Sequence, residues 1–307
     1  MDLLSEFSHP TQWYSKLIAA FLAIAFFTLL AGGIISGFVI YRIAAPTATV
    51  EGINLANFPG HPEDVSYPTE SGSLAGWFFP GLKSAPTIVL CPGYQTTRGE
   101  LLPLATALQD HQYNVLLFDF GSDASKAPNS TLGFREAQDL RAAIAGLAQR
   151  DDVDRTRFGV WGTNMSAYAA LSVAESDPRV RAVVVESVYD RPQDMARLLV
   201  ARYGLAQLPL IPAMVEKGFG WLNFSYRQTP PLSAGLPRLA GVPKLFLSAS
   251  DETDLISSTQ RLFLLAPEPK EEALLSRGNY AGMLDDEKRE YENRILAFFL
   301  VNLPIRP

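Results

Sequence analysis

The sequence predicts an α/β fold: a doubly wound, mostly parallel sheet with a small helical cap, preceded by one N-terminal transmembrane helix. Three observations carry this expectation. Short, dense apolar runs alternate with helix-patterned segments from about residue 65 to 303, as expected of strands covered by helices on both faces. An uncharged run of 25 residues, Leu17–Tyr41, stands between Lys16 and Arg42. Residues 191–242 break the alternation and are rich in Leu, Pro and aromatics.

Residues 1–16 read as an N-terminal tail. At about 1.5 Å per residue, Leu17–Tyr41 exceeds the ~20 residues that cross a ~30 Å hydrocarbon core. A cleaved signal peptide is the rival, but its apolar region runs roughly 7–15 residues behind a basic start. Here the lead-in carries Asp2 and Glu6, so an uncleaved signal-anchor, single-pass in the membrane, is expected. Trp13, Tyr14 and Tyr41 bracket the run as interfacial aromatics do. Gly33-Ile-Ile-Ser-Gly37 has small-xxx-small spacing and points to a packed partner helix. Residues 42–62, with Pro46, Pro59, Gly60 and Pro62, form a linker.

Residues 63–307 form the soluble domain. Val65–Tyr67 and Leu74–Phe79, joined by Glu70-Ser-Gly72, open it as a hairpin. Strands are expected at Thr87–Cys91, Val115–Phe118, Arg157–Trp161, Val180–Glu186, Lys244–Ser248 and near Glu272–Ser276. Helices are expected at Glu100–Asp110, Phe134–Arg150, Ser166–Ser176, Ser257–Leu265 and Glu287–Asn302. Structureless loops as long as 191–242 are uncommon, so this insertion reads as a cap over the C-terminal edge of the sheet. Its apolar residues mainly form the cap's own core; with an anchor present, part of that surface can also rest on lipid.

Composition narrows the function classes. The chain is 48% hydrophobic and 19% charged, which supports a sizeable core rather than disorder. A net charge of -6 without a Lys/Arg cluster argues against a nucleic-acid partner. The single cysteine, Cys91, excludes an internal disulfide. All three histidines (His9, His61, His111) fall in the first 111 positions. No cluster of metal ligands and no Gly-rich phosphate loop is present, so no cofactor or metal is expected.

Four patterns recur in order. Ile88-Val-Leu-Cys-Pro-Gly-Tyr94 is a strand and turn. Val115-Leu-Leu-Phe-Asp-Phe-Gly121, then Thr131-Leu-Gly-Phe-Arg-Glu136 and Asp139, give a strand, loop and helix. Phe158-Gly-Val-Trp-Gly-Thr-Asn-Met-Ser166 is a strand entering a tight turn with the layout G-x-S-x-G, Gly162 first, Ser166 last and Asn164 at the apex. Tyr291-Glu-Asn-Arg-Ile-Leu-Ala-Phe-Phe299 closes the chain. Over about Val65 to Leu303 these resemble the α/β-hydrolase fold. The resemblance implies a nucleophile at the elbow apex, an acid and a His in that order, and an oxyanion hole from backbone N–H groups, here Tyr94 and Met165.

The reagents do not match that plan. A carboxamide at Asn164 cannot be activated by a base as Ser can, although Asn tolerates φ > 0 at a strained apex. Deamidation to Asp would give a carboxylate nucleophile but would still require a His. The acid position falls on Asp251, with Asp254 as the alternative; plain helix capping explains an Asp-rich turn equally well. Aligning Ala281-Gly282 with the family's H-G places Ala281 at the base position, and no His follows His111. Ser166 fits a packing slot, Cys91 a buried inert thiol, and His111 the surface end of a helix.

The expectation is a membrane-anchored, catalytically inactive homologue acting as a binding or scaffold module and as a subunit of a membrane-protein complex, with the lipid bilayer and a membrane protein as its partners. The alternative is a weak or noncanonical hydrolase of acyl or lipid-like substrates with the cap as lid. A third reading is a small apolar ligand held in the cap pocket. Anchored members of the fold suggest an extracytoplasmic domain. Asn129-Ser-Thr131 and Asn223-Phe-Ser225 match glycosylation triplets without deciding the side.

Overall fold

The computed structural model describes residues 13–46, 60–70, 72–121, 130–208 and 210–305. The tail up to residue 12, linker residues 47–59, turn residue Ser71 and the loop 122–129, with Asn129 of the first glycosylation triplet, lie outside the described residues. The chain divides into two compact units: Met1–Ile43 with Ala196–Phe224, and Ala44–Met195 with Ser225–Pro307.

The larger unit holds an eight-stranded sheet: β1 (Glu63–Thr69), β2 (Gly72–Phe79), β3 (Ala85–Cys91), β4 (Asn114–Phe118), β5 (Val153–Thr163), β6 (Val180–Glu186), β7 (Lys244–Ala249) and β8 (Lys270–Leu275). Their order is β1-β2-β4-β3-β5-β6-β7-β8. β2 runs antiparallel to both its neighbours, and β3 to β8 are mutually parallel. Register aligns the strand ends: Cys91 pairs with Gly162, Thr163 with Glu186, and Glu186 with Leu247. The turns after β3, β5, β6, β7 and β8 therefore open at one edge, where open α/β sheets place their sites.

The apolar runs are dense because both strand faces are buried. Ile88, Leu90, Val115, Leu117, Trp161, Val184 and Leu245 share a core with Leu104 and Leu108 of one helix and Ile295 and Phe299 of the last. The intervening Val89, Leu116, Val160, Val183, Val185 and Phe246 are equally buried on the opposite face. Each such large aliphatic or aromatic side chain contributes roughly 1.5–3 kcal/mol.

The helices are α1 (Trp13–Ala44), α2 (Leu102–Asp110), α3 (Phe134–Leu147), α4 (Met165–Ala174), α5 (Pro192–Arg202), α6 (Ile211–Leu222), α7 (Leu232–Gly235), α8 (Thr253–Leu265) and α9 (Asp285–Asn302). Three boundaries differ from expectation by three residues or more. α3 stops at Leu147 because Gln149 and Arg150 close a turn onto Gly146 and Leu147 carbonyls, leaving Arg150 to bind Asp152 and Glu63. β5 starts at Val153, four residues early, because Val153 pairs with Ala85 and Asp152 O accepts from Ser84 N. α8 begins at Thr253 rather than Ser257, drawing Asp254 into its first turn, where a negative side chain suits the helix dipole.

In the smaller unit the buried positions of α1 are Gly32, Ser36, Val39 and Ile43, one stripe of a 3.6-residue helix. The neighbour is α6 of the same chain. A Cβ on Gly32 would stand 3.3 Å from Met214 Sδ, and one on Gly218 would stand 2.4 Å from Ile40 Cδ1. The close approach therefore uses Gly32 and Gly218. Of the pair read from the sequence, Gly33 comes only within 3.8 Å of Met214 Cε and Gly37 has nothing within 4 Å. Asn223, in the second glycosylation triplet, is buried and its Nδ2 donates to Phe219 O, which makes it a helix-end bond rather than an accessible acceptor.

Candidate active site

At the end of β5 the chain turns sharply into α4. Asn164 sits at the apex with φ 43° and ψ -102°, a conformation that costs on the order of 1–3 kcal/mol for a residue with a Cβ. Gly162 permits the turn: a Cβ there would lie 2.6 Å from the Ser166 carbonyl carbon. Asn164 N donates to Glu186 O at 2.8 Å, tying the apex to β6. Ser166 is fully buried; its hydroxyl donates to Cys91 O at 2.7 Å and accepts from Thr163 N at 2.9 Å. Its proton is committed to backbone, so Ser166 braces the elbow.

The turn after β3 brings Tyr94 to the same point. Tyr94 N donates to Asn164 Oδ1 at 2.7 Å, and Met165 N donates to the same oxygen at 2.6 Å. Both partners are donors, which identifies the atom as the amide oxygen. Two converging N–H groups 2.7–3.1 Å from one oxygen, roughly, is the geometry an oxyanion requires. Here the protein's own carboxamide fills that point. Gly93 allows the approach, since a Cβ there would meet Thr163 Cγ2 at 2.7 Å and Asn164 Nδ2 at 3.0 Å. The loop beyond is fastened by Asp119 at the end of β4, which accepts from Arg98 N at 2.7 Å and pairs with Arg98 Nε at 3.2 Å. Arg98 in turn lies 4.1 Å over the Trp77 ring.

The turn after β7 carries Asp251, whose Oδ1 accepts from Gly278 N at 2.7 Å in the β8–α9 connection. Asp254 is exposed on α8. Ala281 is exposed in the short helical turn Tyr280–Gly282, three residues beyond the backbone that Asp251 holds. The structure thus gathers Asn164, Tyr94 and Met165 at one point and joins Asp251 to the chain segment before Ala281.

Sequence reasoning missed the group between them. Glu186, ending β6, is buried, and Tyr291 O–H of α9 donates to its Oε2 at 2.5 Å. Trp161 Nε1–H donates to Tyr291 Oη at 3.0 Å, completing a chain from β5 to β6. Burial, against the Tyr291 hydrogen bond and with repulsion from Glu252 and Asp251, pushes the Glu186 carboxyl up to about 7. The signal was present in the sequence: Val183-Val-Val-Glu186 ends an apolar strand with a carboxylate, which must find partners if buried.

Cys91 is buried, and burial raises its thiol well above the ordinary range, so no thiolate is available there. His111 is exposed at the end of α2, with Nδ1 2.9 Å from Ala107 O. Among the described residues no group of three or more His, Cys, Asp or Glu side chains is arranged to hold a metal.

No protein-family model matches the chain. A polyketide transferase of Aspergillus fumigatus is 33% identical over 127 residues, covering 40% of this chain and 44% of that protein. The matched segment thus spans less than half the length of that relative, as it does for a polyketide transferase of Penicillium. An uncharacterised protein of Mycobacterium tuberculosis is 29% identical over 215 residues, covering 67% of this chain and 68% of that one. A Pyrococcus furiosus esterase superposes with a TM-score of 0.66 at 20% identity, covering 85% of this chain and 98% of its own. The Penicillium α/β hydrolase GrgF superposes at 0.59 and 20% identity, covering 79% and 99%. At such identity the likeness speaks to architecture. Strand order, elbow and neighbours agree: this chain has the α/β-hydrolase fold.

Proposed function

We propose that the protein is a membrane-anchored α/β-hydrolase-fold protein that does not hydrolyse by a triad and serves as a binding module for a membrane-protein partner. One observation carries the reading. Asn164 Oδ1 accepts from both Tyr94 N and Met165 N, so the apex side chain is not a nucleophile and the two donors are already satisfied. The second support is chemical: with no His after position 111, a general base would have to come from elsewhere, and Asp251 bonds backbone instead. The anchor in this reading is α1, 32 residues long and apolar, with the sheet unit on the extracytoplasmic side.

A second reading rests on the relatives' names, polyketide transferase, thiohydrolase and acyltransferase. On it, the site retains slow acyl-transfer chemistry, or binds a small apolar acyl compound without cleaving it. An oxyanion hole and binding alone leave roughly 10³-fold acceleration over water in triad knockouts, but an occupied hole removes even that.

The test uses purified full-length protein in nanodiscs with p-nitrophenyl ester and acyl-thioester probes, paired with mild-detergent pull-down. Absence of turnover with a reproducible membrane-protein partner supports the binding module. Turnover that disappears on changing Asn164 establishes the second reading instead.

A further inference from the structure

We infer that Leu208, Leu210 and the start of α6 enter the bilayer beside α1 as a second membrane attachment, so their occupant is the lipid acyl region. This rests on the reading of α1 as a membrane span. The contacts fix the depth. Ile211 Cδ1 and Met214 Sδ lie against Gly32, while Gly218 lies against Ile40, so α6 runs in the same direction as α1. Gly32 is nine residues before Tyr41, about 14 Å along a helix, well inside the apolar run. Leu210 is one residue from Ile211, its Cα within about 3.8 Å. It therefore sits at nearly the same depth, with Leu208 close behind.

These residues are only partly covered by the protein. Leu208 and Leu210 are among the exposed large hydrophobic side chains. In water such a cluster is a liability; at the depth of Gly32 it faces hydrocarbon. At the other end of α6, Trp221 is 81% exposed and Phe224 56%. Trp221 lies three residues beyond Gly218, level with or past Tyr41, where aromatic side chains favour the headgroup boundary. Two charged features fit the same placement. Glu216, between the two levels, pairs with Arg197 of α5 at 3.0 Å, and Lys217 has a stem long enough to reach the interface.

The experiment uses the full chain with Cys91→Ala, reconstituted into phosphatidylcholine/phosphatidylglycerol liposomes containing spin-labelled lipids. An environment-sensitive fluorophore is placed singly by Leu210→Cys, Ile34→Cys in α1, or Arg155→Cys on the sheet unit. The expected result is blue-shifted emission and severalfold stronger quenching at positions 34 and 210 than at 155. Quenching at 34 with water-like emission at 210 overturns the inference while leaving the anchor intact. Water-like emission at both overturns the anchor reading and the inference together. Should a labelled variant fail to fold, the native chain is compared with Trp221→Phe in brominated lipid. Loss of a quenchable tryptophan component supports the placement, and an unchanged quenching profile contradicts it.

Discussion

Replacing Asn164 tests the occupied turn in a graded way. Asn164→Ala removes one oxygen that satisfies two backbone donors, Tyr94 N and Met165 N. Each hydrogen bond is worth about 0.5–1.5 kcal/mol net, so the loss is about 1–3 kcal/mol, held toward the lower end because the apex is half-buried and water can reach it. The backbone adds a second term. At φ 43° and ψ -102° Ala gains nothing over Asn, whereas Asn164→Gly loses the same two bonds but sheds the Cβ strain, by about 1 kcal/mol. Asn164→Asp keeps an acceptor in place, and two N–H donors favour its ionised form. The expected order of stability at neutral pH is wild type close to Asp, then Gly, then Ala. A deficit of about 2 kcal/mol lowers Tm by about 4–8 °C in a domain of this size. Urea and thermal unfolding of the four proteins, in one detergent, measure it. If Ala matched wild type within error, or Gly were no better than Ala, the carboxamide would not be holding the turn.

Three further outcomes follow from the same contacts. Tyr291→Phe removes the donor to Glu186 and the acceptor of Trp161 N–H. It should cost about 1.5–3 kcal/mol, as charge-assisted buried bonds do, read from the urea midpoint. Glu186 is raised to about 7 from an ordinary 4.5, so its contribution is fully present below pH 4.5 and lost as pH rises through about 7. Stability should therefore fall between pH 5 and 8 by up to about 3 kcal/mol from this group. Asp139, raised to about 6, and Glu175, raised to about 7, slope the same way. Glu186→Gln should flatten the profile, and an unchanged slope in its urea titration would show that Glu186 is not responsible. Ser166→Ala should cost about 1–3 kcal/mol by removing the hydroxyl's bonds to Thr163 N and Cys91 O and should not alter fluorophosphonate labelling, since the hydroxyl faces backbone; labelling that vanished with the hydroxyl would reverse that assignment.

Much of the fold was legible because buried strands write themselves as apolar runs. Val180–Glu186 was bounded correctly, and the strands around it missed only by their ends. Those ends were set by partners that a single segment does not reveal, as Val153 was by Ala85 and Arg150 by Asp152 and Glu63. The elbow was legible from Gly162, Asn164 and Ser166 because steric demands at a tight turn are local. That one oxygen of Asn164 would meet both Tyr94 N and Met165 N was not, because it depends on how β3 and β5 end side by side. Glu186 was passed over as a strand terminus; its partners lie 105 residues away on α9. The Gly33/Gly37 spacing pointed to a neighbouring helix, but one-residue rotation about α1 decides which glycine faces it, and only the packed α6 fixes that.

The most direct test of the account is ester and thioester turnover by Asn164→Ser, in full-length protein purified in nanodiscs beside wild type. Serine restores a hydroxyl at the apex and withdraws the carboxamide from Tyr94 N and Met165 N, yet supplies no base, and no histidine follows position 111. The account predicts no turnover above the buffer rate in either protein. Substantial turnover by Asn164→Ser would contradict it, because a base able to activate that hydroxyl would then already be in place.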